Sequence, residues 1–103
     1  MSGEPLVTGT DFVAVPTTDL ARSVAFYGTT LGLPCSVHMP ERNFAEFETG
    51  NLTLNVMDPV RMGVVEFSPN RNAIALHVGD VHQARRTLEG RGVAFVGDVF
   101  DTG

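Results

Sequence analysis

Residues 12–33 read FVAVPTTDLARSVAFYGTTLGL, a stretch that passes from one kind of periodicity to another within ten positions. Phe12 to Pro16 is a short, β-branched apolar run closed by proline, which predicts a strand. Thr17-Thr18-Asp19 then offers helix N-cap side chains, and Leu20, Val24, Tyr27 and Leu31 recur at three- and four-residue spacing until Gly32 ends the pattern. A strand feeding an amphipathic helix is the expected opening.

Outward from this stretch, Cys35 to Met39 reads as a strand closed by Pro40. Asn43 to Thr49 and Leu52 to Met57 read as two more, joined at Gly50-Asn51 as a hairpin. A first βαβββ module therefore occupies about residues 8–57. Residues 58–72 hold prolines, a glycine and scattered charges and read as a linker, with Val64 to Phe67 a candidate brief strand. The pattern restarts at Ala73 to Gly79 (AIALHVG). Asp80 is a cap candidate, Val81, Ala84 and Leu88 keep helical spacing to Gly90, and Gly92 to Val96 begins another strand. Setting Phe12-Val13-Ala14-Val15 against Ala73-Ile74-Ala75-Leu76 reveals an internal repeat, each copy leading to an Asp-initiated helix and a glycine turn. The expected fold is α+β: one 1–103 domain, a βαβββ module followed by a second βαβ unit over residues 73–103.

Asp19-Leu20, Phe26-Tyr27 and Leu31-Gly32-Leu33 stand where a vicinal oxygen chelate module places its helix start, aromatic pair and helix exit. The stretch therefore resembles that superfamily, which includes glyoxalase I, bleomycin-resistance proteins and extradiol dioxygenases. ALHVGDVHQARRTLEGRGVAF, residues 75–95, resembles the start of a second module. The resemblance implies a curved mixed sheet forming a cavity and two further strands after this start, so the second module reads as an incomplete βαβ(ββ) where this sequence ends at Asp101-Thr102-Gly103; truncation, or pairing with another copy that covers open sheet edges, are the two readings.

Enzymes of the superfamily hold a divalent metal with His and Glu side chains from the first and last strands of each module, leaving positions open for two neighbouring substrate oxygens. The resemblance puts the first-strand positions on Phe12 and Ala73, neither of which can coordinate, and puts Asn55, a poor transition-metal ligand, nearest the usual carboxylate. His38, His77 and His82 form no ligand set by their spacing. No metal, no cofactor and no catalytic residue is expected.

Alternation along 44–48 turns Ala45 and Phe47 toward the helix and Phe44, Glu46 and Glu48 toward the cavity. In the next strand Thr53 and Asn55 share that side, and Ala73-Ala75-His77 puts His77 near the rim. The candidate ligand-binding residues are Phe12, Phe44, Glu46, Asn55 and His77. Phe12 also reads as core, and Glu46 and Glu48 as solvated edge charges. No nucleophile elbow surrounds Ser23 or Ser36, and Gly90-Arg91-Gly92 is no dinucleotide fingerprint. Arg85-Arg86 reads as a solvated helix face and Cys35 as a buried, inert thiol.

Bulk composition fits this picture. Of 103 residues, 43% are hydrophobic and 18% charged, which supports a folded chain. A net charge of −5 has the wrong sign for nucleic-acid backbones. One cysteine and no apolar run of roughly 20 residues favour a cytoplasmic protein without membrane partners. The first functional expectation is a metal-free small-molecule-binding protein, sequestering a cationic or aromatic compound and working as a homodimer. A divalent-metal-dependent lyase or dioxygenase seen as a truncated chain, and a degenerate structural module, are the alternatives.

Overall fold

The computed structural model describes residues 3–63 and 66–100 of the chain. They fall into two compact units, Met1–Arg71 and Asn72–Gly103. In the first unit, strand β1 (Phe12–Pro16) leads to helix α1 (Leu20–Ala25), which continues into a π-helical turn, Phe26–Thr30. Strand β2 (Cys35–Met39), a 3-10 turn (Pro40–Arg42), β3 (Phe44–Glu48) and β4 (Thr53–Met57) follow. The four strands form a mixed sheet in the order β1-β4-β3-β2, β1 parallel to β4 and the others antiparallel.

Sequence chemistry explains each boundary. Asp19 caps α1 by accepting from the Arg22 backbone N–H at 3.1 Å, and the Thr17 hydroxyl accepts from the Asp19 N–H at 3.1 Å. These bonds occupy donors that a helix start leaves without intrahelical partners. Gly32 leaves the helix at φ +76°, a conformation that suits glycine. The β3–β4 turn closes through Thr49, whose N–H donates to the Leu52 carbonyl at 3.1 Å, around Gly50 at φ +105°.

One face of the sheet carries the core. Val15, Ala45, Phe47, Leu54 and Val56 are buried, with Leu20, Val24, Tyr27 and Leu33 packed against them. Phe47, Leu54 and Val56 are the largest wholly buried side chains, and burying each contributes about 1.5–3 kcal/mol. Tyr27 meets Phe47 at a ring separation of 5.7 Å, and burial raises its hydroxyl pKa above the ordinary value. Among the described residues, the other face of the sheet has no helix of this unit on it.

The second unit is built on helix α2 (Val81–Gly90), capped by Asp80, which accepts from the Gln83 N–H at 3.0 Å. Arg85, expected as a solvated charge, donates to the Gly97 carbonyl at 2.8 Å, lies 5.1 Å from the centre of the Phe95 ring and pairs with Glu89 at 3.5 Å. Residues 73–79 and 92–96, read from sequence as strands, form none. Their alternation is genuine, but a strand exists only through a neighbouring strand's hydrogen bonds, and this unit supplies no partner among the described residues. The candidate strand at Val64 to Phe67 lies partly outside the described residues.

Candidate functional site

The pairing register decides which side chains share the open face. In the parallel pair, Phe12 stands beside Thr53, Ala14 beside Asn55 and Pro16 beside Met57. Across β3 and β4, Glu48 faces Thr53, Glu46 faces Asn55 and Phe44 faces Met57. Val37 and Met39 of β2 extend the rows at Glu46 and Phe44. Four of the residues read from sequence, Phe12, Phe44, Glu46 and Asn55, are thus brought to one surface. Phe12 is 52% exposed, so it belongs to that surface and not to the core. His77 lies in the second unit, exposed in the stretch before α2, and is no part of this sheet.

The polar groups of the open face are cross-linked in two ways. Asn55 donates from Nδ2 to Glu46 Oε2 at 2.9 Å. Glu48 accepts on both oxygens: Thr53 donates to Oε1 at 2.6 Å, and Ser36 donates to Oε2. The Ser36 and Thr53 hydroxyls, in that order, hold the Glu48 carboxyl below its ordinary pKa against a smaller opposing effect of desolvation. Ser36 reaches Glu48 because it is the extra residue of a bulge between Cys35 and Val37 in β2. That role is invisible in the sequence, where Ser36 shows only that it lacks a nucleophile-elbow context.

His38 pairs with Ala45 and therefore lies on the helix side of the sheet. There it lines a cleft of about 680 Å³ with Leu20, Val24, Asn43 and Arg61 among others. Three of the polar groups around that cleft are engaged locally: Asp19 caps α1, Asn43 donates to the Arg61 carbonyl at 3.3 Å, and the Arg61 side chain lies 3.7 Å from Asp58. The open face is the better candidate. Asp58, assigned to a linker by composition, is buried and accepts from the Arg61 N–H at 3.0 Å, and the Asp-Pro step before Arg61 is the signal that marked this turn. Cys35 is exposed rather than buried, because β2 is an edge strand.

The donor set of the open face does not suit a transition metal. It offers no imidazole or thiolate, both Glu48 oxygens are hydrogen-bonded, and Glu46 is tied to an amide. No group of three His, Cys, Asp or Glu side chains gathers anywhere among the described residues. Among those residues, too, no helix is long and apolar enough to cross a membrane.

Comparison with known proteins places this architecture. The family profile of the bleomycin resistance protein-like N-terminal region matches residues 11–50. A glyoxalase/bleomycin resistance protein/dioxygenase from Nocardioides is 27% identical, with a TM-score of 0.66 over 94% of this chain and 68% of its own. A protein assigned to the glyoxalase family from Bacillus anthracis superposes with a TM-score of 0.70 at 22% identity, over 88% of this chain and 75% of its own. The lactoylglutathione lyase from Agrobacterium tumefaciens gives 0.62 at 20% identity, over 88% and 74%. No curated protein matches the chain in sequence.

Proposed function

Because the chain belongs to the vicinal oxygen chelate superfamily of glyoxalases, bleomycin-resistance proteins and dioxygenases, we propose that it is a metal-free small-molecule-binding protein that sequesters a cationic or aromatic compound on its open sheet face. The observation that carries this reading is the hydrogen-bonded Glu46–Asn55 pair, set between Phe12 and Phe44 on a face whose paired strand residues, among those described, include two carboxylates and no basic side chain. Carboxylates attract a cation, and aromatic faces add dispersion and cation–π attraction. The chain has a net charge of −5, which favours the same ligands.

Homodimerisation is part of the proposal, supported by β1 and β2, which each present an outer strand edge in this unit. A cytoplasmic location is supported by the single exposed thiol of Cys35, which a reducing compartment keeps intact. The test combines titration with Zn, Ni, Mn and Fe(II) and an NMR screen of small cationic and aromatic compounds. Ligand-dependent shifts at Phe12, Phe44, Glu46 and Asn55, without stoichiometric metal uptake, are the expected result. His77 is read out in the same spectra. Stoichiometric metal that is lost on changing His38 or His77 would replace this reading with a metal-dependent lyase or dioxygenase.

A further inference from the structure

The two carboxylates of the open face are not equivalent, and the difference specifies the cation. Both oxygens of Glu48 accept hydroxyl hydrogens from within the sheet. Glu46 receives one hydrogen bond, on Oε2, and its Oε1 accepts none among the described residues. Because only an amide N–H can face a carboxylate, this bond also fixes the orientation of the Asn55 amide and leaves its Oδ1 as a second acceptor. Beside Asn55 in the same row stands Ala14, whose small side chain leaves space above the pair. The next row toward one end of the strands is apolar, made of Pro16, Met57, Phe44 and Met39, and successive rows on one face lie about 7 Å apart.

Resting on the reading of this face as a ligand surface, we propose that it selects a protonated primary or secondary amine attached to one apolar body, over quaternary ammonium ions and neutral aromatics. Two acceptors side by side, one of them charged, reward a cation that brings at least two N–H donors, since charge-assisted hydrogen bonds are the strong ones. A quaternary ammonium gains the Coulomb attraction but leaves both acceptors unpaired, at a cost. The apolar body, about one ring and a two-carbon arm long, lies along the strands over Met57 and Phe44, where sulfur and ring surfaces accept it.

NMR titration of the full chain with phenethylamine, trimethyl(phenethyl)ammonium and 2-phenylethanol tests this. The expected result is shifts at Ala14, Glu46, Asn55 and Met57, with phenethylamine bound on the order of tenfold more tightly than either analogue. Glu46→Gln removes that preference, whereas Glu41→Gln, which deletes the same charge from an exposed turn, keeps it. Equal affinity for the amine and the quaternary ion, or a preference that survives Glu46→Gln, overturns the proposal while leaving a ligand-binding face in place. Absence of any shift on this face across a wider compound screen overturns both.

Discussion

Gly28 occupies the point where the helical segment comes closest to the sheet. A Cβ built there would stand 3.3 Å from Cε1 of Phe47, a ring with no exposed surface. Ala favours helix over Gly by about 1 kcal/mol, but overpacking a filled core costs about 1–3 kcal/mol. Gly28→Ala is therefore expected to destabilise the protein by about 1 kcal/mol, measured as a lower urea midpoint with unchanged slope. The sequence showed a glycine inside a helical pattern; only the packing shows why it is there. Glu48 carries a second expectation. Its folded pKa lies below the ordinary 4.5, so the carboxylate contributes stability that is fully present above that value and is lost as pH falls through the depressed folded pKa. In Glu48→Gln, melting temperature followed from pH 7 to pH 3 should fall less steeply below about 4.5 than in the parent, because that group no longer titrates.

At the scale of elements, α1 depends on its cap. The helix proper has six residues, and isolated helices of that length are not stable in water. Asp19→Ala is expected to cost about 1 kcal/mol by removing the bond to the Arg22 N–H, measured by denaturant unfolding, with Asp19→Asn recovering most of it. The capping aspartates, the glycine exit and the alternation of strands β3 and β4 were legible because each is a local rule, satisfied within four residues. Glu46 beside Asn55 was partly legible: alternation put both on one face, but their direct bond follows from the register of β3 on β4. The β2 bulge and the burial of Asp58 were not legible, since the one depends on pairing with β3 and the other comes with a bond from the Asp58 N–H to the Asn43 carbonyl, and no local rule marked the π-helical turn. The strands expected at 73–79 and 92–96 show the opposite limit: periodicity describes what a segment can pair with, and not whether a partner is present.

Over the whole molecule, stability is concentrated in the first unit. Every buried hydrophobic residue among those described lies there, and the second unit has none. Amide hydrogen exchange should accordingly be slowest at Ala45, Phe47, Leu54 and Val56 and fast over residues 73–79, where no ladder bonds form. Comparable protection in the two regions would contradict this account. The sheet order has a consequence of another kind, in time. Each pairing within β2-β3-β4 links segments adjacent in the chain, but Phe12 must find Thr53, 41 positions away, with the helix in between. Loop-closure entropy makes such distant encounters slow, so the three-stranded meander assembles early and β1 arrives last. Until it does, the row of acceptors formed by Glu46 and Asn55 lacks its Ala14 wall, and the open face is the final part of this sheet to come into being.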